Sequence, residues 1–372
     1  MKHTTKVNKL WAWVLLVGAL GSSSCEKEEL SACSGAPTIE KVVMPTKRDE
    51  PRTAGNLADW VIIQGSNFCN VSNIVFNDVE ADLTDAYVTP TEITVRIPRI
   101  IPKEVNNKVT VTSDAGTAEI AYTISIPPLL IAGMSNEYTP AGQRMAIVGQ
   151  NLDLYGITPE KGKVLWNGTA LAITRTTADS AYFVVPANAT PGATLKVVDA
   201  NNIEKNVPGR YKDDRNIVFG YDQGGSIWGG NTYITQGPVP APINGSFIRV
   251  VTTVKEWIWT EFSTSNQLTL PSAVVANPAG YVLRFEMNTL KPFNTSGIKL
   301  VIDGDANTYA WMPTVPFNTR GRWSTRTVNL TDIVKTPLEA TRTLHEFKFV
   351  FHGPGNLDAD IAFDNFRIVP KD

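Results

Sequence analysis

Val61-Ile-Ile-Gln-Gly65-Ser-Asn67-Phe68 and Ala146-Ile-Val-Gly149-Gln-Asn151-Leu152 carry one pattern twice. Each is a short apolar run that ends in Gly-x-Asn followed by a large apolar residue. The agreement continues downstream. Ile74-Val-Phe-Asn77-Asp78 corresponds to Val164-Leu-Trp-Asn167-Gly168, and Ile93-Thr-Val-Arg-Ile-Pro98 corresponds to Tyr182-Phe-Val-Val-Pro186. The unit is strand, Gly-x-Asn turn, strand, Asn-Asp or Asn-Gly hairpin turn, and strand ending in Pro. Gly65 and Gly149 are expected to supply turn conformations, the apolar runs a sandwich core, and Trp60 and Trp166 part of that core. Each repeat reads as one small domain.

Outward from the repeats the same texture holds. Runs rich in Val, Ile, Thr, Tyr and Phe, such as Lys108-Val-Thr-Val-Thr112 and Lys299-Leu-Val-Ile302, alternate with Gly, Pro, Asn and Asp clusters. No helical periodicity is sustained, so the chain predicts an all-β architecture. The repeats resemble the Ig-like IPT/TIG domains over roughly residues 36–126 and 128–208, a resemblance that implies spacer or packing modules. Pro127-Pro128 stiffens the first junction, and Val207-Pro208-Gly209 marks the second. The remainder, residues 211–372, does not repeat the pattern. Its longer runs, Tyr281 to Asn288 and Ile361 to Val369 among them, predict a jelly-roll β-sandwich. Two Ig-like sandwiches would thus precede a C-terminal jelly-roll head.

The N-terminus reads as an address. Lys2, Lys6 and Lys9 precede the apolar run Leu10 to Leu20, which is shorter than the roughly 20 apolar residues of a membrane-spanning helix. Ser22-Ser-Ser-Cys25 follows. Small residues before a cysteine resemble the lipobox of bacterial lipoproteins, although serines stand where Leu-Ala-Gly is usual. Residues 1–24 would be a signal peptide, Cys25 the lipidated residue, and residues 25–35 a tether; ordinary secretion with a free Cys25 is the alternative. Glu26-Lys-Glu-Glu29 resembles the acidic signal that exports lipoproteins to the outer face of the outer membrane. The protein is therefore expected at the cell surface, held by acyl chains. Cys33 and Cys69 are either a disulfide, which an oxidising compartment permits, or two buried thiols.

A formal net charge of −2, with Lys and Arg scattered among acids, argues against a nucleic-acid surface. Five of the seven tryptophans beyond the signal segment fall in the last domain. Trp257-Ile-Trp259 and Tyr309-Ala-Trp311 each set two rings one residue apart, on one face if extended. On strand parity Trp257, Trp259 and Glu261 face out, while Ile258 and Phe262 serve the core. Arg284, Glu286 and Asn288 offer a polar face opposite Leu283, Phe285 and Met287. Sugar rings stack C–H patches on aromatic faces, and their hydroxyls need directional partners, here Glu261, Arg284 or Asn288. Trp228, in Gln223-Gly-Gly-Ser-Ile-Trp-Gly-Gly230, is a further candidate platform, whereas Trp323 reads as core.

Together, the cysteine with its acids, the tandem IPT/TIG modules and the C-terminal segments Trp257 to Phe262, Leu283 to Glu286, Tyr309 to Trp311 and Arg322 to Thr325 resemble surface glycan-binding proteins of polysaccharide-utilisation systems. The resemblance implies non-catalytic capture of a polysaccharide such as a β-glucan or xyloglucan. It also implies a TonB-dependent transporter, its lipoprotein lid and a surface endo-glycanase as partners. No cofactor or metal is implied. A glycosidase would need paired carboxylates such as Asp303/Asp305 or Asp358/Asp360, but Asp303-Gly-Asp-Ala-Asn307 reads as a turn. Thr308 and Thr314 stand where a calcium loop needs Gly and Glu. His345 and His352, seven apart, point to opposite strand faces and suit no shared metal. An adhesin or scaffold that grips protein through the same aromatics is the other class to weigh.

Overall fold

The computed structural model describes residues 33–222 and 231–371; Cys25 and Trp228 lie outside them. The chain is all-β and divides into two compact units, residues 1–126 and 127–372.

In the first unit, one sheet orders its strands Lys47–Arg52, Thr38–Met44, Trp60–Ser66, Glu92–Arg96 and Tyr87–Val88. The other orders Gly116–Ala121, Lys108–Ser113, Val71–Phe76 and Val79–Glu80. The second repeat reproduces this connectivity. Leu130–Met134, Arg144–Gln150, Ser180–Val184 and Arg175–Thr176 form one sheet, and Glu204–Arg210, Thr194–Val198, Lys163–Trp166 and Thr169–Ala172 the other.

The Gly-x-Asn signature has a physical basis that differs from the expected one. Gly65 and Gly149 lie inside strands, not in the turn. A Cβ at either would collide with the neighbouring strand's carbonyl, Thr38 or Leu130. The turn is made by the asparagines, both at φ 62°, in the left-handed region that Asn tolerates better than most residues. Each donates its side-chain N–H to the segment that leads into its repeat, Asn67 to the Ala36 carbonyl (3.1 Å) and Asn151 to the Pro128 carbonyl (2.9 Å). Phe68 and Leu152 then drop into the cores. Trp166 is buried against Tyr211 and Phe183. Trp60 is not core: it opens its strand opposite Arg96 and stays 40% exposed. Cys33 and Cys69 are joined as a disulfide.

The C-terminal part is a two-sheet antiparallel sandwich. One sheet orders Ile234–Thr235, Phe247–Val254, Leu357–Pro370, Tyr281–Thr289 and Ser324–Asn329, with Ile217–Phe219 also paired to Leu357–Pro370. The other orders Thr260–Leu268, His345–Phe351, Ile298–Ile302 and Thr308–Trp311. Between them lies a phenylalanine-rich core in which Phe262, Phe285, Phe349, Phe363 and Phe366 are in mutual contact.

The centre of the first sheet's other face is buried too. Arg284, Glu286 and Arg367 point away from the core, yet they are almost inaccessible because Glu137 of the second repeat docks on them. Arg367 bridges Glu286 and Glu137, each at 2.7 Å, and Arg284 bonds Glu137 at 2.8 Å. Two cations and two anions close on themselves, and the Tyr138 ring lies 5.2 Å from the Arg367 guanidinium carbon. Burial works against the Arg367 charge, but Glu286 and Glu137 outweigh it and hold the guanidinium firmly protonated. The second repeat and the sandwich are joined by backbone as well, Thr325 N–H to the Ser135 carbonyl at 3.0 Å. Beside the network, burial pushes the Asp364 carboxyl up to about 8, with Glu286 and Asp222 adding to the rise against a hydrogen bond from the Asn365 backbone.

Candidate functional site

Trp257 and Trp259 are exposed, 59% and 40%, but not as strand neighbours. They occupy the link between Phe247–Val254 and Thr260–Leu268. Trp257 sits at φ 56°, a region that is uncommon for a bulky residue and persists only where the surroundings hold it. The holding contacts are backbone ones. Trp257 N–H reaches the Gly353 carbonyl at 2.8 Å, and Glu256 N–H reaches the Asn356 side chain at 3.1 Å. Because the link leaves the strand, Ile258 is exposed rather than core, and parity holds only from Phe262, which is fully buried.

The two indoles flank a residue that the sequence did not single out as a site. The His352 ring centroid is 5.6 Å from each of Trp257 and Trp259. Glu261 serves as an anchor: it accepts Trp259 Nε1–H at 2.8 Å and the Thr264 hydroxyl at 2.7 Å. Burial pushes the Glu261 carboxyl up, but those two hydrogen bonds and the charge of Lys348 hold it below the ordinary glutamate range. Lys299 Nζ lies 5.3 Å from the Trp259 ring centroid, a cation–π contact. Lys299 and Lys348 point outward by alternation with Leu300 and Phe349, whose side chains enter the core. The periodicity of Phe347, Phe349 and Phe351 was the available signal for Lys348, and it places His352 just past the strand end.

Tyr309 and Trp311 do not join this strip. Their cross-strand partners are Leu300 and Ile298, both core residues, so the pair faces inward at the edge of the sandwich. Trp311 stacks on Phe293 at 5.2 Å, meets Phe317 edge-on at 5.3 Å, and has the Arg326 guanidinium carbon 4.5 Å from its ring centroid. Its ring is thus packed by side chains of the fold. Arg284 is likewise removed from the expected set: it is 2% exposed and tied to Glu137 on the opposite sheet. Parity assigned Arg284, Glu286 and Asn288 to the right face, but the second repeat covers it.

Of the acids considered for catalysis or metal, Asp303, Asp358 and Asp360 are engaged structurally, as is Asn307 of the same turn. Asp303 accepts from His345 Nδ1 at 2.6 Å and from the Glu346 N–H at 2.8 Å. Asn307 accepts from the backbone of Lys335 and Thr336. Asp358 pairs with Lys291, and Asp360 with Arg249.

Residues 211–370 match the family described as surface glycan-binding protein B xyloglucan binding domain, and residues 53–125 match the IPT/TIG domain. Among solved structures the chain is similar to surface glycan-binding protein B from Prevotella bryantii, at 18% identity over 91% of this chain and 99% of that one, with TM-score 0.51. It is also similar to the corresponding protein of a complex xyloglucan utilisation locus in Bacteroides uniformis, at 19% identity over 90% and 99%, with TM-score 0.47. No curated protein matches. Residues 211–370 are thus similar to the xyloglucan binding domain of surface glycan-binding protein B, in a chain that also carries an IPT/TIG match at residues 53–125.

Proposed function

We propose that this protein captures an extended polysaccharide, a β-glucan or a hemicellulose such as xyloglucan, without cleaving it, at the cell surface. The observation that carries the reading is the exposed Trp257 and Trp259, with half-buried His352 between them, on a domain similar to that family. Indole faces take the C–H surfaces of pyranose rings, and Glu261 and Lys299 hold Trp259 in place while offering polar partners to hydroxyls. One ring pair contributes only about 1 kcal/mol beyond its buried area. Contacts along a polymer add, so a long chain is held where a monosaccharide is not. Trp228, outside the described residues, is a further candidate for glycan binding.

Lipidation at Cys25 would tether the protein to the outer membrane, and the captured chain would pass to a surface endo-glycanase and to a TonB-dependent transporter with its lipoprotein lid. The test is affinity gel electrophoresis of the soluble form, lacking residues up to Cys25, on β-glucans, xyloglucan, mannans, xylans and α-glucans. Retardation by one class that disappears in Trp257→Ala and Trp259→Ala is the expected result. Unchanged retardation in both variants would remove the platform, and release of reducing ends on long incubation would reverse the non-catalytic reading.

A further inference from the structure

The second repeat and the sandwich enclose a cleft of about 660 Å³, within the roughly 300–1,000 Å³ typical of small-ligand sites. Its sandwich wall is the loop that carries Phe317, Asn318, Arg322 and Trp323; its other wall includes Gln143 and Tyr182. Trp323 is fixed by Nε1–H to the Ala241 carbonyl at 2.8 Å and by edge contact with Phe247. It is therefore neither free platform nor core, but a half-buried wall of this cleft. Tyr182 carries Arg144 and Arg175 at 5.4 and 5.7 Å from its ring centroid. Aromatic rings beside amide and guanidinium donors, with no acidic side chain in the lining, form the mixed surface that a polyol ring requires.

A chain of packing contacts leads from the platform to the cleft wall. His352 N–H bonds the Gly297 carbonyl at 2.9 Å, and a Cβ on Gly297 would touch Met312, which is exposed. Next in the chain to Met312 stands Trp311, which meets Phe317 at the cleft mouth. The cleft walls are already fixed to one another by the Glu137–Arg367–Glu286 network, so a ligand would not have to order them.

We propose that this cleft is a second carbohydrate subsite, which takes a further segment of the polysaccharide held at Trp257 and Trp259. The proposal rests on the glycan-capture reading above. Arg322→Ala and Asn318→Ala, both on exposed side chains, are to be compared with the parent by isothermal titration. The probes are polymeric xyloglucan and a xyloglucan heptasaccharide, the latter a short ligand for one place at a time. The polymer's affinity should fall about tenfold in the double variant, while the heptasaccharide's stays within about twofold. Melting curves that match the parent's would exclude misfolding as the cause.

Unchanged polymer affinity in the double variant, with loss in Trp259→Ala, would overturn the subsite and leave glycan capture standing. Equal loss on both probes would make these residues part of one short site, and would also overturn it. If the parent binds neither probe nor any other glycan, the capture reading falls and the subsite falls with it.

Discussion

The two outward faces of the C-terminal sandwich invert the usual rule of charge outside and aromatics inside. On one sheet, arginine and glutamate are sealed from water; on the other side, two tryptophans stand in it. The inversion has a cause on each side. The charged face is covered by Glu137 and its neighbours, and it tolerates burial because its charges are paired at 2.7–2.8 Å. The aromatic face lies on a strand-to-strand link pinned to the Gly353 and Asn356 loop, where no element of the described unit packs over Trp257. The difference teaches that alternation along a strand assigns a side chain to a face, while the tertiary partner decides whether that face is a surface.

The contrast is open to attack at four points. Removing the shared cation by Arg367→Met leaves Glu137 and Glu286 buried with one guanidinium fewer, and should cost about 3–5 kcal/mol. Urea unfolding would read it; a loss below about 1 kcal/mol would mean the face is wet. Asp364 gives a second handle. Its folded carboxyl titrates at about 8, against about 3.9 in an unfolded chain. Between those values the folded state keeps a proton that the unfolded state releases, so stability falls as pH rises from about 4 to 8. Asp364→Asn should therefore gain several kcal/mol, up to roughly 5, at pH 9 and little at pH 4.

On the other face, Trp259→Ala should weaken polysaccharide binding about tenfold, roughly 1.4 kcal/mol. Unfolding free energy should change by less than about 0.5 kcal/mol, as for an exposed side chain. A large stability loss would make Trp259 core after all. The smallest effect is expected from Glu261. Its folded value lies below the usual glutamate value of 4.5, so its anchoring of Trp259 is complete above that pH and fades as pH falls through the lower folded value. Binding measured from pH 8 to 5 should be flat and then weaken by about threefold below pH 4. Glu261→Gln should remove that acid limb.

Much of this architecture was legible in residues. The duplicated Gly-x-Asn run located both repeats, although the work is divided otherwise than expected: glycine admits a neighbouring carbonyl and asparagine makes the turn. Parity correctly put Leu283, Phe285 and Met287 in the core. It failed at Trp257 because a left-handed residue breaks the alternation, and nothing local announces a tryptophan in that conformation. It failed differently at Tyr309 and Trp311, where the face was settled by pairing with Leu300 and Ile298, a long-range fact. Arg284 and Glu286 were unreadable for the same reason, since the residue that claims them lies 147 positions from Arg284.

The Glu137 bridge also sets what can be transplanted. A designer who moved residues 211–370 to another carrier would leave behind the acid that pairs with both arginines, and would open a charged, previously dry face to solvent. The portable cassette is the span from residue 127 onward, with the second repeat retained as the head's own base. Recombination between such proteins should respect that seam, and exchange heads together with the module beneath them.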